Sequence, residues 1–362
     1  MWQYFMPTKV IFSKNVLEKN IDLFKNFGSK ALIITGKHSS KKNGSLQDLE
    51  KSLQSAGVYY EIYDKIEENP TYSLIREAVY SLRDRNFDFI IGLGGGSPLD
   101  SAKAIAVLLK NKDMNVEDLY NASKYEQSLP ICAIPTTSGT GSEVTQYSVL
   151  TDDSGYKKGF AHLSIFPALA LIDPIYTISM NASLTRSTGL DALCHAVEGF
   201  VSKRATPVSD LYAVRAMELI KENLPKALEN PEDLGARENM ACASCLAGMV
   251  ISQTSTTLAH VLGYPLSTFK GIRHGDATAL FLDSIVNQAE KEIPEKIATI
   301  KKIFTDIGEF IASVGLKVSV QITDEELESW VNRAKQAAHN QWTRGIFDEK
   351  LLRHLYERVK KD

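Results

Sequence analysis

The sequence predicts two domains, an α/β domain over residues 1–180 and an all-α domain over residues 181–362. Three observations predict this. The chain is 362 residues long, beyond the size at which a single hydrophobic core usually divides. Up to about residue 180, short apolar runs alternate with stretches of helical spacing, the pattern of a parallel sheet covered on both faces. From Ser183 onward the strand signals vanish and helical periodicity takes over, which places the boundary in "DPIYTISMNASL".

Taken in order, "ALIIT" from Ala31 reads as a buried strand, "LQDLEKSLQSAG" as a helix stopped by Gly57, and "VYYEIY" as the next strand. "YSLIREAVYSLRDR" has helical spacing, "FDFIIGL" is a strand, and "PLDSAKAIAVLLK" is a helix with Pro98 at a favoured first position. "PICAIPTT" and "ALALIDP" supply further short apolar runs. In the second half, "LTRSTGLDALCHAVEGFVS", "SDLYAVRAMELIKENLPKAL" and "ARENMACASCLAGMVISQTSTTLAHVLGY" all read as helices.

"GLGGGSPLDSAKA" lies between a strand and a helix. Backbone N–H groups at a helix start can hold an anion, and glycines let a phosphate come close. The loop reads G-x-G-x-x-S and follows the third predicted strand, so it departs from the usual dinucleotide fingerprint; a tight turn or a close helix–strand contact is the alternative. A second loop, "IPTTSGTGSEVT", packs Thr136, Thr137, Ser138, Thr140 and Ser142 around two glycines. Its hydroxyls fit pyrophosphate, ribose or a carboxamide; a hydroxyl-rich hairpin is the bland reading. Two such loops at strand ends of one sheet favour a dinucleotide lying across both, in a Rossmann-like nucleotide-binding domain. A third loop, "GKHSSKKNGS", follows "ALIIT". NAD sites commonly put an acid at such a strand end, to hold the ribose hydroxyls and repel a 2′-phosphate. Here the position is Gly36, followed by Ser39, Ser40 and Lys41, which suit a phosphate monoester and so NADP(H). A solvated basic turn is the alternative.

Seven histidines occur in the chain, and three keep unusual company. "GLDALCHAVEG" puts Asp191 and His195 four apart, one turn along one helix face. His260 and His274 follow in "TLAHVLGYPLSTFKGIRHGDA". One carboxylate with three imidazoles suits Fe(II) or Zn. Taken singly, the Asp–His pair reads as a surface hydrogen bond and His260 as a satisfied core histidine.

Together these pieces resemble the iron-containing (group III) alcohol dehydrogenase family. The resemblance runs through "GLGGGSPLDSAKA", "IPTTSGTGSEVT", "ALIDP", "TGLDALCHAVEGFVS" and "LAHVLGYPL…GIRHGDA", from "MPTKVIFSKN" to about residue 285, and is closest to the NADP-using butanol and 1,3-propanediol dehydrogenase branch. It implies the two-domain architecture shared with dehydroquinate synthase. It also implies Fe(II), or sometimes zinc, on Asp191, His195, His260 and His274. Cofactor contacts are implied at Gly94, Gly95, Gly96, Ser97, Thr136 and Thr137, with Asn69, Asp100, Thr145 and Lys158 beside them. Many relatives have a second histidine four residues after the one matching His260; this chain has Tyr264. Where they commonly read "LLP", it has "FLD" around Asp283, which bears on the substrate wall.

The remaining features bound the function. Lys plus Arg is 41 against 44 for Asp plus Glu, a net charge of −3 with no block of one sign, which argues against nucleic acid and membrane surfaces as partners. Four cysteines and no recognisable leader fit a reducing, cytoplasmic setting. "CASC" sits in a small-residue helical run and reads as close packing, and Glu198 in "HAVE" as a residue behind the ligands or on the helix surface. The expectation is an NADP(H)-dependent metal enzyme acting on a small alcohol or aldehyde, self-associated as a dimer or larger. An NAD-dependent zinc polyol dehydrogenase or a synthase of the same fold, a non-catalytic nucleotide sensor and a metal hydrolase are the alternatives.

Overall fold

The computed structural model describes residues 1–361. They fall into two compact units, Phe5–Met180 and a second made of Met1–Tyr4 with the chain from Asn181 onward. The first four residues thus group with the helices, where the Tyr4 ring packs 6.0 Å from that of Tyr212.

The first unit is built on a six-stranded sheet in the order β1-β8-β5-β4-β2-β3, every pair parallel. The strands are β1 Lys9–Phe12, β2 Lys30–Gly36, β3 Tyr59–Ile66, β4 Phe89–Gly94, β5 Ile131–Pro135 and β8 Leu169–Ile172; β6 Tyr147–Thr151 and β7 Lys157–Ala161 form a separate antiparallel hairpin. β4 is buried along its whole length, because the sheet is covered on both sides and a strand there must be apolar on both faces. Its side chains alternate: Ile90 joins Leu32 and Ile34 on one side, and Phe89, Ile91 and Leu93 join Ala31 and Ile33 on the other. The helices α1 Ser45–Ala56, α2 Tyr72–Leu82 and α3 Gly96–Lys110 connect them. From β2 the chain moves outward to β3, then returns to β4 on the opposite flank. The strand order therefore reverses between β2 and β4, where open α/β sheets bind ligands at the carboxyl ends of their strands.

Two sequence expectations change in detail. Helix α3 starts at Gly96, so Pro98 is its third residue rather than its first, still within the turn whose N–H groups have no partner inside the helix. Strand β1 and the β6–β7 hairpin are additions. Their burial is partial, and β7 begins with two lysines, so their apolar signal is weak.

The second unit is helical, with α4 Ala182–Val201, α5 Pro207–Glu229, α6 Leu234–Thr254, α7 Leu258–Phe269, α8 His274–Ala279, α9 Leu282–Ala289, α10 Pro294–Phe304, α11 Ile307–Ser313, α12 Asp324–Gln336 and α13 Glu349–Glu357. Asn181 opens α4 by accepting the Leu184 N–H at 2.8 Å, and Thr206 opens α5 through a reciprocal pair with Ser209. Most of α4 is buried, hence its run of glycine, alanine, leucine and cysteine rather than an amphipathic stripe.

Candidate metal centre and cofactor loops

Helix α4 carries Asp191, His195 and Glu198 at positions i, i+4 and i+7, one face of the helix. His260 lies in the first turn of α7 and His274 is the first residue of α8. The Nε2 atoms of His195, His260 and His274 each stand 3.7 Å from Oδ1 of Asp191. The rings of His195 and His260 stack nearly parallel, 15° apart, with centroids 4.9 Å apart. Asp191, His195 and His260 are buried and their ligand atoms lie within 4.8 Å of one another; the His274 side chain is 31% exposed and gives the cluster its solvent side.

Two features fit this cluster to a metal ion. Asp191 Oδ1 and His260 Nε2 are buried atoms without a hydrogen-bond partner, a costly state that an ion between them would relieve. Two donors on one tetrahedral ion at about 2.0–2.1 Å stand about 3.4 Å apart, close to the separations here. The groups are strongly coupled. Burial alone would raise the Asp191 carboxyl, but the three imidazoles hold it well below its usual range. Burial would lower His260, and Glu198 and Asp191 outweigh it, raising the imidazole to about 9.

The approach of α8 to α4 sets the place of His274. A Cβ on Gly275 would fall 1.8 Å from the Ser187 carbonyl oxygen, so only glycine permits the contact. Beside it, Arg186 grips Asp276 with two bonds, Nε–Oδ1 at 3.2 Å and Nη2–Oδ2 at 2.8 Å. Tyr264 stacks on the His274 ring, centroids 5.6 Å apart. Asp283 is engaged by Arg358 at 2.9 Å and by Ser284, which accounts for its carboxylate.

Sequence reasoning gave His339 no context, and left Glu198 between two readings. Glu198 lies behind the cluster, fully buried, with Oε2 against His260 Nδ1. His339, in a turn spanning Ala338–Gln341, packs on Trp342 and is lowered to about 4 by burial, with Glu198 pulling it the other way. Trp342 is pinned to the Thr256 carbonyl at 2.6 Å and under the Arg204 guanidinium at 4.0 Å. No local motif marks these residues; they meet only through the packing of the C-terminal turn.

In the α/β unit, Gly36, Gly94 and Thr136 stand at the carboxyl ends of neighbouring strands. The Thr136 N–H donates to the Gly94 carbonyl at 2.9 Å, so the second loop leaves the sheet beside the first. Gly94 has φ +146°, and a Cβ there would meet the Pro98 ring at 2.7 Å. Gly95, the N-cap of α3, offers no side-chain acceptor to the N–H groups of the first turn. Ser97 Oγ takes the Asn69 N–H at 3.3 Å, and Asn69 itself holds φ +56°.

Other expected contacts are placed differently. Asp100 is turned inward, accepting from Ser142 Oγ at 2.7 Å and Val149 N at 3.0 Å. Beside it the buried Lys103 donates to Ser142 Oγ at 2.7 Å, Thr145 Oγ1 at 3.3 Å and the Tyr147 carbonyl at 2.7 Å, so Asp100 and Thr145 belong to an internal polar network. Ser40 is fully buried, its Oγ bonded by Thr35 at 2.9 Å. Lys41 is exposed and paired with Asp64 at 2.6 Å, and Lys158 with Asp152 at 3.0 Å. Burial pushes the Asp100 carboxyl up, opposed chiefly by the charge of Lys103, then by its bonds from Ser142 and Val149, and least by Lys157.

A family model described as iron-containing alcohol dehydrogenase matches residues 7–174, and one for the C-terminal part of the Fe-containing alcohol dehydrogenase family matches residues 185–342. A solved iron-containing alcohol dehydrogenase from Thermotoga maritima superposes with TM-score 0.96 at 50% identity, covering 99% of both chains. The NADPH-dependent butanol dehydrogenase of Clostridium saccharobutylicum is 31% identical over 93% of this chain and 83% of its own. The NAD-dependent methanol dehydrogenase of Bacillus methanolicus is 34% identical over 76% of this chain and 72% of its own. No helix among the described residues is long and apolar enough to cross a membrane.

Proposed function

Because the chain belongs to the iron-containing alcohol dehydrogenase family, whose members oxidise and reduce alcohols and aldehydes, we propose that it interconverts primary alcohols or short diols and their aldehydes with NADP(H) and Fe(II). Zn is the other ion its donor set suits. The observation carrying the reading is the convergence of three imidazole Nε2 atoms on one buried carboxylate oxygen that has no hydrogen-bond partner. When bound, the ion supplies Lewis acidity toward a substrate oxygen and the dinucleotide supplies or accepts hydride.

The chain's own residues divide the remaining work. Asp191, His195, His260 and His274 hold the ion, the carboxylate contributing charge and the imidazoles directional lone pairs. The partial exposure of His274 leaves the substrate a way in from that side. The uncapped start of α3 and the N–H groups around Gly94, Gly95, Gly96 and Ser97 hold the pyrophosphate, with Thr136 and Thr137 on its other flank. NADP(H) is favoured by Gly36, where an acid would repel the 2′-phosphate, and by Ser39 and Lys41 close by. The pairing of Lys41 with Asp64 is an exposed one of little energy, so a phosphate competes for it. The two named relatives differ in cofactor, so the choice rests on this loop.

The test is anaerobic oxidation of reduced cofactor with a three- or four-carbon aldehyde, comparing metal-free protein with protein reloaded with Fe(II) or Zn. Turnover that needs metal and prefers NADPH is expected. Metal-dependent turnover preferring NADH would overturn the cofactor assignment alone. No turnover with any ion or cofactor, across a panel of alcohols and aldehydes, would overturn the activity.

A further inference from the structure

Glu198 sits seven residues after Asp191 and three after His195, fully buried at the same face of α4. A carboxylate taken out of water needs its lone pairs occupied, and an unmatched one is strongly destabilising. Its partners all come from one short segment. Oε1 accepts the Thr257 N–H at 2.8 Å and the Thr257 hydroxyl at 2.6 Å. Oε2 faces Nδ1 of His260. Thr257 is the N-cap of α7, yet its hydroxyl does not cap that helix; it is spent on Glu198 instead. So one carboxylate grips both the start of α7 and the imidazole that α7 carries.

This contact decides more than position. A carboxylate only accepts, so the nitrogen facing it must carry the proton. With the proton on Nδ1, the lone pair of His260 is on Nε2, the atom 3.7 Å from Asp191 Oδ1. The other tautomer would turn an N–H toward the ion and leave two acceptors facing each other across the Glu198 contact.

We infer that Glu198 is a positioning residue of the metal centre: it keeps the Nδ1 proton of His260 and locks the first turn of α7, so that Nε2 is the nitrogen held toward Asp191 and the one that gives up its proton to an ion. The inference rests on the metal assignment above. Partners of this kind typically govern metal affinity by about 10- to 100-fold.

The experiment measures Co(II) affinity of the metal-stripped full chain by competition with a chromophoric chelator, and records the visible absorption of the bound Co(II). Four variants are compared with the wild type, with far-UV circular dichroism confirming the fold. Glu198→Ala is expected to weaken binding about 100-fold and to change the absorption band. Glu198→Gln keeps one acceptor oxygen and should lose about 10-fold; it carries the test if the alanine variant does not fold. Thr257→Val removes the hydroxyl donor but keeps the Thr257 N–H and the His260 contact on Glu198, so it should weaken Co(II) binding less than either Glu198 variant; a loss as large as that of Glu198→Ala would overturn the aiming of His260 as the role of Glu198. His195→Ala, lacking a ligand, should lose binding. Wild-type affinity and absorption in Glu198→Gln and Glu198→Ala would overturn the inference while leaving the metal site standing. A wild type that binds no Co(II), or a His195→Ala variant that binds like it, would overturn the metal assignment itself.

Discussion

Glu143 lies in the hydroxyl-rich loop, buried, and burial pushes its carboxyl up to about 7 against the opposing pull of its own N–H and of Lys103. Lys103 is pushed the other way, down to about 8, by the same loss of solvent. The two shifts act in opposite directions and in different windows. Glu143 binds a proton more tightly folded than unfolded, so its contribution to stability is complete below its ordinary value of 4.5 and is lost as pH rises through about 7. Lys103 binds its proton less tightly folded, so stability recovers only as pH rises from about 8 toward its ordinary 10.5. The melting temperature should therefore fall between pH 5 and pH 8, and Glu143→Gln should flatten that fall. The difference amounts to about 1–3 kcal/mol. It is read by thermal melts of both proteins across that range. Parallel curves for the two proteins would show that Glu143 stays ionised in the fold.

Helix α8 illustrates how an element can matter more than its length. It has six residues, yet its first is the proposed ligand His274, and its seating on α4 is fixed by Gly275 and the Arg186–Asp276 pair. Gly275→Ala drives a methyl into a backbone carbonyl, which no side-chain rotation relieves. The helix must move, and His274 with it. A loss of about 3 kcal/mol in urea melts, at the upper end of overpacking costs, should accompany weaker metal binding in titrations. Unchanged affinity would mean that His274 contributes little to holding the ion. The element scale is also where the sequence speaks unevenly. β4 and its glycine loop were legible because a doubly covered strand is apolar without interruption and its loop carries glycine at fixed places. Asp191 and His195 were legible because a helical period of four is visible in one segment. The β6–β7 hairpin was not, since its burial is partial and two lysines begin β7. Asp100 and Ser40 were named as cofactor contacts because they stand in the right loops; which way a side chain turns depends on Ser142, Val149 and Thr35, partners that local pattern does not reveal. Glu198 and His339 acquire meaning only once α7 and the C-terminal turn pack beside them.

At the scale of the whole chain, the residues proposed to hold the ion all belong to the helical unit and the loops proposed to hold the pyrophosphate all belong to the α/β unit. Each ligand group stabilises the fold it binds by mass action, about 2.7 kcal/mol at a hundred times its dissociation constant. The assignment of the two groups to separate units therefore predicts a double dissociation. His195→Ala should lose the upward shift in melting temperature on adding Zn but keep the shift on adding NADPH. The converse variant is Gly95→Val. Gly95 has φ −78° and ψ −165°, a conformation that a β-branched residue accepts, while its added Cβ would stand 3.2 Å from Thr137, between the two cofactor loops. That protein should fold, respond to Zn as the wild type does, and no longer respond to NADPH. Differential scanning calorimetry of the two variants, each with and without each ligand, reads all four outcomes. If His195→Ala also lost its response to NADPH, the ion would have to be part of the cofactor's binding site, and the division of labour between the units would be wrong. If Gly95→Val kept that response, the glycine loop would be a packing device and the dinucleotide would lie elsewhere on the sheet.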